Sequence, residues 1–246
     1  MKKLLLFISA VFPFITTAQD LSKENYEESG NFQYNTTYKN TTLYSYTVGF
    51  KVMSLEEFPK ILEQTESKIR RSMLNGFVLK YNDNQISYRL AASFFDDRIT
   101  FKNDCNGCGE ISGKLNDSHI KLGFEKNMVY GVVQPYFGID LGFKRSSFEG
   151  GTQTATISRS SSSSYDVKTT KNGGSLSPVL GIKFNVLNHL SIVAESTVDV
   201  YYSYERQEKT FRDPAIPLSK QHYYRWEYLM KPLGMLSVQY NFGLLY

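Results

Sequence analysis

The sequence predicts an all-β fold, an eight-stranded antiparallel barrel that crosses a membrane, and three observations carry that prediction. The chain opens on an export-type segment, eight later segments alternate apolar with polar residues, and the connections between them alternate short with long. Successive side chains on a strand point to opposite faces, so each segment is sorted into one apolar and one polar surface. A chain of 246 residues accommodates one domain of this kind.

Residues 1–18 read as a secretory signal peptide. Lys2 and Lys3 precede an apolar centre from Leu4 to Ile15, and Thr16, Thr17 and Ala18 precede Gln19. No other stretch supplies the run of apolar residues that a membrane helix requires. Residues 19–41 are polar and rich in Asn, Thr and Tyr. They predict a flexible N-terminal extension, with a short extra strand around Phe32 and Tyr34 as the alternative. The barrel is expected over 42–246. Lys2 and Lys3 taken from 28 basic residues leave 26 against 24 acidic ones, a balance that gives no electrostatic case for nucleic acid.

The first strand, about 43–52, sets Tyr44, Tyr46, Val48, Phe50 and Val52 against Ser45, Thr47, Gly49 and Lys51. The second, 75–81, sets Phe77, Leu79 and Tyr81 against Gly76, Val78 and Lys80, and the third, 85–95, sets Ile86 to Phe94 on alternate positions against Ser87, Arg89 and Ser93. The fourth, 118–125, opposes Ile120, Leu122 and Phe124 to His119, Lys121, Gly123 and Glu125. The fifth, 132–144, opposes Val133, Phe137, Ile139, Leu141 and Phe143 to Tyr136, Asp140 and Lys144; the sixth, 176–186, opposes Leu180, Ile182, Phe184 and Val186 to Gly181 and Lys183. In the seventh, 190–204, Ile192, Val198, Val200, Tyr202 and Tyr204 face away from Glu195, Thr197 and Asp199. The eighth, 232–246, alternates Leu236, Val238, Tyr240, Phe242 and Tyr246 with small and polar residues.

Within those spans the apolar face carries no charge. The other face carries Lys51, Lys80, Arg89, Lys121, Lys144 and Lys183 with Glu125, Asp140, Glu195 and Asp199. A one-residue slip would turn these charges toward lipid, at about 2–4 kcal/mol for each Lys or Arg at the midplane, so the register is strongly specified. Apolar outside with charge inside is the reverse of a soluble barrel. The expected turns at 82–84, 126–131 and 187–189 are short, whereas the connections 54–74, 96–117, 145–175 and 205–230 are long. That alternation fits short periplasmic turns and long extracellular loops.

The segment from Val133 to Phe143 (VQPYFGIDLGF) and the closing Ser237-Val238-Gln239-Tyr240-Asn241-Phe242, together with the eight strands, resemble the small outer-membrane β-barrel domains of the porin family, of OmpA/OmpX-like type. The resemblance implies location in the cell outer membrane, outer-membrane lipid and lipopolysaccharide as surroundings, and the barrel-assembly machinery as a partner. Tyr240, Phe242 and Tyr246 stand where such proteins carry a terminal assembly signal, although four residues follow Phe242. An extracellular ligand held by the loops is a further expected partner. The resemblance implies location and fold rather than activity; eight strands leave an interior that side chains fill, so the expected role is structural or surface-interacting without a large pore, with narrow conductance or lipid-modifying catalysis as alternatives.

Remaining motifs carry little chemistry. Cys105 and Cys108, in an exported chain, predict a small disulfide ring; a redox site would want a neighbouring βαβ unit, and zinc would want more ligands. Ser54 and Glu57 have capping-box spacing and predict a short amphipathic helix in the first loop, with Pro59 displacing its start. The loop with Ser160 to Ser164 reads as solvated, and the mixture of Tyr223, Tyr224 and Trp226 with Arg206 and Arg225 as an interfacial girdle. Ser118 and His119 are adjacent on a strand and face apart, so they form no nucleophile and base pair, and His119 is expected as a hydrogen-bonded interior residue. No cofactor, metal or catalytic residue is expected.

Overall fold

The computed structural model describes residues 44–62, 69–102, 110–153, 165–211 and 217–244, all within one compact unit, Tyr38–Tyr246. Residues 1–18 and 19–41, expected as a signal peptide and an N-terminal extension, and Cys105, Cys108 and Tyr246 lie outside the described residues. Eight strands follow one another: β1 Tyr44–Glu57, β2 Ile69–Asp83, β3 Ile86–Lys102, β4 Glu110–Asn127, β5 Val133–Gln153, β6 Tyr165–Leu187, β7 Leu190–Phe211 and β8 Ser219–Leu244. Each pairs antiparallel with the next, and β1 closes the ring on β8, from Tyr44↔Leu244 upward. Closure leaves the transmembrane ladder without an edge, which is the condition for a sheet to cross lipid.

Three short connections, 84–85, 128–132 and 188–189, lie at the same end as the start of β1 and the end of β8; four longer ones lie at the other. Asn84 turns the β2–β3 hairpin with φ 52°, a conformation Asn tolerates because its short polar side chain bonds locally. Outward positions form an apolar belt: Leu122, Leu141 and Phe143, Leu180, Phe50 and Tyr228 are all exposed. On β6 the belt runs from Leu176 to Val186. Ten steps of about 3.3 Å at a tilt of roughly 40° rise ~25 Å, the apolar height expected of an outer-membrane barrel. Aromatic rings rim it at both levels. Tyr46 packs on Tyr81 and Phe242 at the turn end, and Tyr202 packs on Trp226 at the loop end, with ring centroids 4.7 Å apart. Of the aromatic and basic residues expected as a loop girdle, Tyr224 and Trp226 lie on the outer face of β8 and Arg206 on the outer face of β7, within strands rather than a loop.

The strands run further toward the loop end than the alternation of the membrane segments indicates, and the reason is an inversion of pattern. On β3 the inward positions are Ser87, Arg89 and Ser93, then Phe95, Ile99 and Phe101; the outward positions are Ile86, Tyr88 and Phe94, then Asp96, Arg98 and Thr100. Above the belt water replaces lipid outside, so polar residues turn outward and the inside becomes an ordinary apolar core. That core contains Phe58, Ile61, Leu62, Phe95, Ile99, Phe101, Ile111, Leu115, Phe148, Tyr165 and Val167. Residues 58–62 of the first connection fold into the barrel mouth to join it, with Phe58 against Phe95 at 4.4 Å. Leu62 is fully buried at φ 58°.

The first-loop helix starting at Ser54 is not formed. Ser54 is buried mid-strand and pairs with Ser72, because β1 stays in the ladder up to Glu57↔Ile69 and its backbone is satisfied there. Register shifts between Lys51 and Met53 in both ladders of β1 reverse its facing, so Ser54 and Glu56 point inward and Val52, expected on the apolar face, sits at the irregularity. On β8, Pro232 to Gly234 oppose the single residue Ser196, a bulge that accommodates the missing amide of Pro232.

Candidate functional site

The inside of the barrel, from belt height toward the mouth, is filled by ionic clusters stacked in tiers. The arrangement starts from parity: an inward position in this span is polar in the sequence, and closing eight strands brings such positions from opposite walls together. Arg89 on β3 is the centre of the first tier. Its guanidinium forks onto Glu195 of β7, four strands away around the ring, with both contacts at 2.8 Å. It also meets Glu125 at 3.1 Å and Asp140 at 3.3 Å. Lys80 donates to both oxygens of Glu125, at 2.7 and 2.8 Å, and Lys183 lies 3.6 Å from the same carboxylate. Tyr136 donates to Glu195, and the Lys80 and Lys183 ammonium groups sit over its ring.

A second tier lies toward the loop end. Asp199 accepts from Lys121 at 2.6 Å, Ser177 at 2.6 Å and Lys231 at 3.0 Å. Lys231 also holds Glu56 at 2.8 Å, and Glu56 is bonded to Lys51. In a third tier Lys144 pairs with Asp117 at 2.9 Å, while Lys171 meets Glu205 and Glu227. This tier fastens the segment in the mouth. The backbone amides of Lys60 and Leu62 donate to Glu227 and Glu205, at 3.0 and 3.4 Å, and Lys171 donates to the Lys60 carbonyl at 3.1 Å.

All ten charges expected in the interior stand there, each in an ion pair, and the structure adds six more: Glu56, Asp117, Lys171, Glu205, Glu227 and Lys231. Glu56 escapes sequence reading because the irregularity in β1 reverses its facing. The other five sit in segments read as loop or just before the eighth strand. Their signal is legible afterwards: each keeps the odd-numbered or even-numbered parity of its strand beyond the expected end. Among the described residues these clusters hold eight basic and eight acidic side chains. Charge balance matters here because an unpaired buried ion costs several kcal/mol.

Inward glycines let the large interior side chains lie flat. A Cβ on Gly181 would come within 2.3 Å of the Tyr136 ring, and one on Gly173 within 2.8 Å of the Tyr201 ring. Each ring thus covers a glycine of the neighbouring strand, as aromatic residues do where a sheet needs a gap filled.

His119 is an interior histidine with a hydroxyl neighbour. Its Nε2 is 2.9 Å from Ser175 Oγ on β6, and its Nδ1 is 3.8 Å from Asp199. The second distance is too long for a hydrogen bond, and Asp199 is already held by Lys121, Lys231 and Ser177. His119 borders an internal cavity of about 40 Å³ that Arg89, Lys121, Asp140, Glu195, Thr197 and Lys231 also line. Such a space holds water rather than an acyl substrate.

Charged pairs on the outer face above the belt are solvent-exposed. The Glu208 carboxyl is held below its ordinary range by hydrogen bonding from Arg206, and the Lys168 ammonium above its own by hydrogen bonding to Glu149. At the turn end Tyr240 and Phe242 face outward on β8, stacked on one another.

No family model and no curated protein matches the chain. Among solved structures it is similar to the outer membrane protein OprG from Pseudomonas aeruginosa, at 12% identity and a TM-score of 0.52, over 83% of this chain and 99% of that one. It is also aligned with Ail, the attachment invasion locus protein of Yersinia pestis, at 12% identity and a TM-score of 0.36, over 80% of this chain and 97% of that one. The likeness to OprG shows the fold: a small eight-stranded barrel of outer-membrane type.

Proposed function

We propose that the protein is a closed, non-conducting barrel of the outer membrane, exported by residues 1–18, whose role is structural and interactive at the cell surface. One observation carries this reading: the interior is filled from belt to mouth, first by the balanced ionic clusters and then by the apolar core into which residues 58–62 are latched. Lipid and lipopolysaccharide surround the belt, the barrel-assembly machinery receives the chain through its aromatic C-terminal strand, and the loop-end strands present a polar surface to an extracellular ligand. The interior groups act by rigidifying the wall rather than by chemistry. The test is conductance of the purified protein in planar bilayers. A closed barrel gives no steady channel events, and neutralising Lys121 or Glu195 creates none; stable openings in the wild-type protein, altered by either substitution, would show a narrow channel instead.

A further inference from the structure

We propose that the wall carries a binding site for a neutral, hydrogen-bond-donating single-chain amphiphile of the outer leaflet, in a groove where β2 and β3 part. The pairing of these two strands runs only from Asp83↔Ile86 to Gly76↔Ser93. Above that point β2 continues along β1 to Ile69, and β3 continues along β4 to Lys102, with no β2–β3 pair among the described residues. The parting is built into the backbone. Leu74 and Asn75 together oppose Val52 across the register shift, and Leu74 takes φ 49°, a left-handed conformation that a bulky residue rarely adopts.

The groove has a volume of about 710 Å³. Its lining is apolar at Phe50, Met73, Leu74 and Phe94, exposed by 66%, 59%, 78% and 51%, and polar at Arg71, Asn75, Asp96, Asp97 and Asn116, with Asn75 level with Phe94. The two kinds of residue meet at the top of the belt, since Phe94 is the last apolar outward residue of β3 and Asp96 follows it. The parted edges therefore open just above the hydrocarbon, at the level of a lipid head group. An acyl chain with its head at the interface matches both kinds of lining.

The head group follows from the polar residues. Asn75 is only 8% exposed, yet its Oδ1 has no hydrogen-bond partner. It asks for a donor. Asp96 is paired with Lys114 at 2.9 Å, and the lining carries two carboxylates, Asp96 and Asp97, against the single guanidinium of Arg71. A phosphate-bearing head would meet two carboxylates and one acceptor oxygen; an amide or hydroxyl head would satisfy Asn75. The site does not lead through the barrel, because Phe95 at its back packs on Phe58 of the plugged mouth.

The experiment uses the full-length protein in phosphatidylcholine nanodiscs with two photoreactive probes of one chain length. One is an N-acylethanolamine with a diazirine near the chain end, and the other is the corresponding methyl ester, which has no donor. The proposal expects the amide to label 69–77 and 94–101 several-fold more densely than the belt around Leu122, Leu141 and Leu180, and the ester to show little preference. The variant Asn75→Leu, checked for heat-modifiable folding, should bring amide labelling down to the ester level. Labelling spread evenly around the belt overturns the site, and equal labelling by the two probes, or no effect of Asn75→Leu, overturns the assigned head group.

Discussion

Arg89 shows what a single interior residue does in this barrel. It joins opposite walls through Glu195 and collects Glu125 and Asp140 besides, so its removal leaves three carboxylates around one vacant position. Arg89→Leu is expected to lower the unfolding free energy by about 3–5 kcal/mol, the cost of stranding buried partners of a lost ion. Arg89→Lys should recover part of it, because an ammonium lacks the two-pronged fit to Glu195. Urea unfolding in lipid vesicles, followed by tryptophan fluorescence, measures both. Gly181 is the counterpart among small residues. Gly181→Ala places a methyl group into the Tyr136 ring and should cost about 1–3 kcal/mol by overpacking, with the loss read in the same titration. The ten interior charges within the expected strands were legible because one face of each segment was free of charge. Glu56 was not, since the register irregularity in β1 reverses the parity on which that reading depends, and Lys231 was not, since it lies just before the expected start of the eighth strand.

At the scale of the strand, one element passes through two solvents. Along β4 the outward residues change from Ile120, Leu122 and Phe124 to Asn116 and Lys114, while the inward ones change from Glu125 and His119 to Leu115 and Ile111. The strand is continuous although its pattern inverts. A sequence reading that seeks one apolar face over the whole element therefore stops at the inversion, and this is why the strand ends were assigned to loops. The eight strands, their order and their turns were legible because each keeps one phase through the bilayer. The inversion makes opposite predictions for similar substitutions. Leu122→Lys should cost about 2–4 kcal/mol in bilayer stability, Asn116→Lys should stay within about 0.5 kcal/mol, and Leu115→Ala should cost about 2–5 kcal/mol because it empties the apolar cap. Vesicle unfolding titrations of the three variants check the ranking; a cost for Asn116→Lys equal to that for Leu122→Lys would place the belt higher than the pattern does.

The whole molecule is a ring whose outside is set by lipid and whose inside is set by charge, and the two depend on one another. Only closure brings β3 within reach of β7, and only the balanced interior makes closure tolerable for sixteen buried ions. The ionic pattern could be foreseen from the polar face of the strands, but the pairing could not: Arg89 and Glu195 are 106 residues apart, and which wall residues meet depends on the tilt of the strands and on bulges. The most direct measurement is electrophoretic mobility of the detergent-extracted protein, heated and unheated, from separated inner-membrane, outer-membrane and periplasmic fractions. The account predicts recovery in the outer membrane, with the unheated protein migrating as a compact species that slows on boiling. Recovery as a soluble periplasmic protein with no mobility shift would contradict it, because the apolar belt would then have no lipid to face.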